Sequence, residues 1–224
     1  MINVLSGGAV QTFVQPLAQS FAPDTVKLEF QPMGKLVKTL AQGFPADVIV
    51  VTAEVLQQIK QQVKPESAKP IARVGVGVGV REGAPLPDLS SAQAFKQTLL
   101  AARSVIYMDP NIGTSGKHVA EVLSRLGIEN EVRRKAKLGT GGQVAEFVAR
   151  GEIELAIHQI SEILPVKGVR FAGPLPAELQ KHTLYVAVPV AHSAKQQIAA
   201  EFIRHLTGPG ARERLAQAGY TSPA

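Results

Sequence analysis

The 224-residue chain contains no cysteine, no tryptophan and only three tyrosines. Without thiols there are no disulfides, thiolate metal sites or cysteine nucleophile, and the redox compartment leaves no mark on the composition. Aromatic residues make up 5% of the chain, and its lysines and arginines are scattered. Stacking platforms and basic runs for nucleic acid are therefore missing despite a formal net charge of +6. No apolar run approaches the roughly 20 residues of a membrane-spanning helix, so no direct membrane insertion is expected. There is no GxSxG elbow, no GxxxxGK[ST] phosphate loop and no HExxH pair. The histidines at 118, 158, 182, 192 and 205 lack metal-ligand spacing, and neither a metal nor a cofactor is expected.

What the chain does have is a hydrophobic content of 45%, enough to bury a full core in one large domain or two lobes. A small anionic ligand suits the scattered positive charge better than a polyanion. The most informative stretch is VIYMDPNIGTSGK, residues 105–117, an apolar strand running into a Gly-rich turn. The turn opens an amphipathic helix with Val119, Val122, Leu123 and Leu126 on one face. Such a turn aims unpaired backbone N–H groups at one point beside the positive end of a helix dipole, which makes a small anion site.

The arrangement recurs. Residues 2–5 are a strand followed by Ser6-Gly7-Gly8 and a helical pattern at Val10, Phe13, Val14, Leu17 and Phe21. Residues 25–30 alternate as a strand, and Gln31-Pro32-Met33-Gly34-Lys35 leads into a helix. Residues 46–51 are a buried strand with a helix over 53–63, so the series predicts a parallel sheet with ligands at its carboxyl ends.

Residues 65–70 connect to RVGVGVGVR at 73–81, a strand whose alternate glycines strip one face. That pattern suits either close packing or a hinge crossover. A helix over 91–102 starts at Ser90 or Ser91. Residues 131–138 read as a strand before GTGGQ at 139–143, with a helix from there to Arg150 closed by Gly151. Residues 155–157 form a buried strand from which His158 to Glu162 emerge. Strands follow at 169–172 and 184–190, then helices over 194–216 broken at Gly208-Pro209-Gly210. Two α/β lobes are predicted, one from 1–79 with 185–224 and the other from 80–184, with crossovers near 73–81 and 184–190.

VLSGGAV (4–10), GFPADVIV (43–50), MDPNIGTSG (108–116), VARGEIELAI (148–157) and QISEILPV (159–166) occur in order over nearly the whole chain. In them the sequence resembles the periplasmic molybdate-binding protein family. The resemblance implies a two-lobed α/β fold of the type II periplasmic-binding-protein class, with mixed, mainly parallel sheets and a central cleft. It also implies a monomer that captures an oxyanion for an ABC transporter in the membrane. Members of the family hold the oxyanion with neutral donors: two Ser hydroxyls, backbone N–H groups and a Tyr hydroxyl.

Here Ser6 keeps the first hydroxyl, while Gly34 with Lys35 beside it stands where the second is found. Ser115 replaces the usual Ala, Gln159 occupies the Tyr position, and the backbone-donor position falls near Gly141. The resemblance thus implies a ligand set of Ser6, Gly7, Gly8, Gly34, Lys35, Thr114, Ser115, Gly116, Thr140, Gly141, Gln159 and Ser161. A desolvated tetrahedral oxyanion needs every oxygen matched. Amide and ammonium donors suit planar carboxylates, so a di- or tricarboxylate is expected ahead of molybdate or tungstate.

The same resemblance extends to isomerases of small unsaturated carboxylic acids, of the aconitate isomerase type. Shifting a double bond takes a base and donors for the developing enediolate. His158, Glu162 and Lys35 are the residues expected in that role, with His118 a further base. Each also has a structural reading: His118 as a half-buried helix residue, His158 as the end of a strand, Glu162 as a dipole-complementing acid and Lys35 as a solvated cation. The start, Met1-Ile2-Asn3-Val4-Leu5, runs into a strand without a signal-peptide pattern. A native Met1 implies a cytoplasmic protein, and a Met1 standing after a removed signal peptide a periplasmic one.

Overall fold

Strand β1 (Ile2–Gly7) is apolar and buried, and the Gly7-Gly8 pair turns the chain through one 3-10 turn into α1 (Gln11–Phe21). Phe13, Val14 and Leu17 fall on one face of α1 and are buried. β2 (Val26–Gln31) leads to α2 (Met33–Ala41), which buries Met33, Leu36 and Leu40. β3 (Val48–Thr52) is buried along its length and leads to α3 (Ala53–Gln58). There the Thr52 hydroxyl accepts from the Val55 N–H at 3.1 Å and caps the helix. The structure is a computed structural model and describes residues 1–21, 25–140 and 143–223.

The chain continues through β4 (Lys69–Val74), β5 (Val76–Arg81), α4 (Ala92–Ala101), β6 (Val105–Met108) and α5 (Thr114–Leu126). Then come α6 (Glu129–Arg133), β7 (Ala136–Gly139), α7 (Glu146–Ala149), β8 (Leu155–Gln159) and α8 (Ile160–Ile163). β9 (Val169–Pro174), β10 (Thr183–Pro189), α9 (Gln196–Thr207) and α10 (Pro209–Gln217) complete it. Two compact units result, Met1–Arg73 with Thr183–Ala224, and Val74–His182.

The first unit carries a sheet in the order β2-β1-β3-β10-β4, with β1 parallel to β2 and β3, and β10 antiparallel to β3. Its fully buried side chains include Leu5, Phe13, Leu36, Ile49, Tyr185 and Phe202. The second unit has the order β7-β6-β8-β5-β9, with β6 parallel to β7 and β8, and β5 antiparallel to β8 and β9. Its core joins Val76, Val78 and Val80 of β5 to Phe95 and Leu99 of α4 and to Val119, Val122 and Leu123 of α5.

Five local differences separate the structure from the sequence reading. The stretch 73–81 is two strands, broken at Gly75, where the Gln180 side chain takes over the backbone pairing. Its Oε1 accepts from the Val76 N–H at 2.9 Å and its Nε2 donates to the Val76 carbonyl at 2.7 Å. β5 then pairs along its length with β8 and β9, so residues 74–79 lie in the second unit, and residues 183–184 begin the returning strand of the first. The helix after β3 stops at Gln58, short of Val63, which bridges to Val190 as extended chain. Residues 131–138 are the end of α6 followed by β7, because Ala136–Gly139 finds its ladder on β6. The helix before Arg150 is a single turn, α7.

The alternate glycines of β5 answer to packing. A Cβ at Gly77 would lie 2.5 Å from the Phe171 ring and 2.8 Å from the Gly173 carbonyl oxygen. At Gly79 it would meet Val169 at 2.9 Å and Ile163 at 3.0 Å. α8 and β9 therefore cover the bare face of β5 while its valines fill the opposite core.

Candidate functional site

In the first unit, the register Gly7↔Gln31 brings the carboxyl ends of β1 and β2 side by side. The turns at Gly8 and at Gly34-Lys35 therefore leave from adjacent strand ends. Ser6 is fully buried, with its hydroxyl donating to the Gly7 carbonyl at 3.2 Å. Gly7 lies beneath Met33 and Tyr185, and a Cβ there would stand 2.1 Å from the Met33 methyl. Gly8 and Gly34 are half-buried, and Lys35 is exposed in the first turn of α2.

In the second unit, the registers Met108↔Gly139 and Tyr107↔Ile157 align the carboxyl ends of β7, β6 and β8. Asp109 organises the loop that leaves β6. Its N–H donates to the Gly139 carbonyl, its carboxylate accepts from the Asn111 N–H at 2.8 Å, and its carbonyl accepts from Ile112 and Gly113. The chain is thereby aimed into α5, whose first turn holds Thr114, Ser115 and Gly116. The first N–H groups of such a helix have no intrahelical acceptor and sit at its positive end. Thr140, after β7, is exposed; Gly141 lies outside the described residues.

At the end of β8, His158, Gln159 and Ser161 are buried. Ser115 is 3% exposed, and its Oγ lies 3.0 Å from His158 Nδ1. The His158 side chain is 1% exposed, and its Nε2 stands 3.3 Å from Glu162 Oε2, with that side chain 16% exposed. Nε2 has no aligned hydrogen-bond partner among the described residues. The result is a chain of three polar groups, hydroxyl, imidazole and carboxylate, running from the first turn of α5 to α8.

Such a chain places a serine hydroxyl beside helix N–H groups and backs it with a buried imidazole. The i,i+4 spacing of His158 and Glu162 is visible in the sequence. Their partner Ser115 is 43 residues away in sequence, and only the parallel pairing of β6 with β8 brings it near. Among the described residues no three His, Asp or Glu side chains are grouped to hold a metal ion.

His118, the further base suggested by the sequence, is turned toward a different partner. Its Nε2 lies 2.8 Å from the Leu179 carbonyl, which requires the proton on that nitrogen, and Nδ1 is 3.8 Å from Glu121. Burial pushes its pKa below the ordinary histidine value; the Leu179 bond and Glu121 oppose this, while Lys181 adds to it. The folded state therefore binds fewer protons than the unfolded chain below about pH 6.5, and stability falls as pH drops through that range. His118→Gln, which keeps an N–H donor, should flatten the loss of Tm between about pH 7 and 5 in thermal melts. Parallel wild-type and variant curves would refute this.

Residues 2–221 match the model of bacterial extracellular solute-binding proteins. An aconitate isomerase from a Pseudomonas species is 31% identical, over 97% of this chain and 86% of that protein. The periplasmic molybdate-binding protein of Azotobacter vinelandii superposes with a TM-score of 0.83 at 20% identity, over 100% of both chains. The sulfate-binding protein SubI of Mycobacterium tuberculosis does so with a TM-score of 0.76 at 19% identity, over 98% of this chain and 85% of that one. These two likenesses establish the architecture, the type II periplasmic-binding-protein fold. The strand-end turns of both units, the topology and the match over 2–221 lead to one conclusion: the chain belongs to the bacterial extracellular solute-binding protein family.

Proposed function

We propose that the protein captures a small carboxylate, a di- or tricarboxylate, through Ser115 and the first turn of α5. Thr114, Gly116, Thr140, Gln159 and Ser161 are the further ligand groups of the second unit, and Gly141 is carried over from the family pattern alone. Ser6, Gly7, Gly8, Gly34 and Lys35 are the groups of the first unit. The observation that carries the reading is the Ser115–His158–Glu162 chain. It places a buried hydroxyl, backed by an imidazole and a carboxylate, beside the first N–H groups of α5, which suits an acid whose carboxylates accept charge-assisted hydrogen bonds. Delivery to an ABC transporter is the role that membership of the family supports.

Isothermal calorimetry with citrate, cis-aconitate and trans-aconitate, against molybdate, tungstate and sulfate, tests it. At least one carboxylate should bind, and Ser115→Ala should weaken that binding about 10–100-fold, the worth of a hydrogen bond to a charged group. Binding of the inorganic oxyanions alone would overturn the carboxylate assignment.

A second reading is favoured by the 31% identity to an aconitate isomerase. In it the bound acid is converted as well as held: a proton leaves the carbon beside one carboxylate, the double bond shifts, and a proton returns to the far carbon. His158 and Glu162 are the base groups of this reading, and Lys35 a third in the first unit. Incubating cis-aconitate with the protein in D2O separates the two by NMR. Deuterium incorporation and conversion to the isomer identify an enzyme, and a bound but unchanged acid identifies a capture protein.

A further inference from the structure

We propose that anion capture at Ser115 is coupled to uptake of one proton by His158, which turns the Ser115 hydroxyl from an inward donor into an outward one. The proposal rests on the reading that Ser115 holds the ligand. The argument is one of hydrogen-bond counting. Glu162 Oε2 stands 3.3 Å from Nε2, not aligned for a hydrogen bond, and its negative charge favours the N–H on that nitrogen over a lone pair. In a neutral imidazole Nδ1 then carries the lone pair, and the only hydrogen it can accept at 3.0 Å is that of Ser115. In this arrangement the serine proton is directed inward, to Nδ1, and only lone pairs of Oγ are left for any other partner.

An anion cannot bind to those lone pairs. To donate outward, the hydroxyl must release Nδ1, which leaves a buried ring nitrogen unsatisfied unless it gains a proton. With that proton Nδ1–H donates to Oγ, Oγ–H donates to the anion, and the imidazolium faces the Glu162 carboxylate. One solvent proton is taken up, and no covalent bond in the ligand changes.

The elements packed against His158 bring it few other ionisable groups. Across the ladder its partner on β5 is Gly77, which has no side chain. β6 contributes the Tyr107 phenol, whose pKa burial raises further. α7 presents Glu146, which is paired with Arg150. On α5, Lys117 is exposed and His118 is engaged with Leu179.

The test is calorimetry with trans-aconitate at about pH 8, where carboxylates are fully ionised, in buffers of differing ionisation enthalpy. About one proton should be taken up per ligand, and affinity should fall about tenfold per pH unit over the range in which uptake is complete. Glu162→Gln should reduce the uptake and His158→Gln should abolish it, leaving a weaker, pH-independent affinity. Because His158 is in the core, the wild-type protein supplies a second readout: ring nitrogen NMR shifts should move from the neutral to the imidazolium pattern on binding. Binding without proton uptake, or uptake unchanged in a folded His158→Gln variant, overturns the coupling and leaves the carboxylate assignment standing. Absence of binding to any carboxylate removes both.

Discussion

Gly116→Ala is expected to cost about 3 kcal/mol of stability and to abolish ligand capture together with it. A Cβ at this position would stand 2.0 Å from the Met108 carbonyl oxygen, 2.7 Å from its carbon and 2.9 Å from the Asp109 carbonyl carbon. All three are backbone atoms, so no side-chain rotamer relieves the clash. The end of β6 cannot move freely either, since the Asp109 N–H is bonded to Gly139 and the Asp109 carbonyl holds Ile112 and Gly113. Helix α5 must lift away from β6, and the 3.0 Å contact between Ser115 and His158 is lost with it. Urea unfolding followed by circular dichroism, with a carboxylate titration on the same sample, measures both effects. An unchanged midpoint would show that α5 is not seated as described.

Asp47→Ala carries the second large effect, a loss of about 3 kcal/mol, by removing a buried carboxylate that joins separate parts of the first unit and leaving its donors without their acceptor. Its Oδ2 accepts from the Asn3 N–H at 2.8 Å and from Lys195 at 3.2 Å, and its Oδ1 accepts from the Ser193 hydroxyl at 2.6 Å. β3 is thereby tied to β1 and to the turn after β10. Burial alone would raise the pKa of Asp47; the Ser193, Asn3 and Lys195 donors outweigh it and hold the carboxyl below the ordinary range. A depressed carboxylate contributes its full stability above about pH 4 and loses it as pH falls through the folded value. Asp47→Asn should therefore narrow its stability gap to wild type on acidification, in urea midpoints taken from about pH 7 down to 3. A gap constant across that range would refute the assignment. The window lies below that of His118, so the two contributions separate in one titration.

Much of the frame is legible without coordinates because its cause is local. Ser91 caps α4 by accepting the Ala94 N–H at 3.1 Å, and Gly208-Pro209 separates α9 from α10 with proline in the first turn. The apolar runs of β1, β3 and β6 pass into helices with one buried face, which is a matter of period and turn residues. What escapes such reading is backbone whose partner is distant. Gly75 divides two strands because Gln180, more than a hundred positions onward, satisfies Val76. β7 is a strand because β6 lies beside it, while the residues just before it, left to local preference, close α6.

By itself, the amino-acid order determined the strand–turn–helix units, the glycines at their strand ends and the family to which the chain belongs. The first two follow from side-chain periodicity and backbone freedom over a few residues, and the family from the resemblance of five motifs occurring in order. Tertiary structure alone decided that Ser115 meets His158, that His118 turns to Leu179, and that Asp47 gathers Asn3, Ser193 and Lys195. Those contacts depend on strand register and helix seating, which fix distances between residues 40 to nearly 150 positions apart that no local pattern encodes.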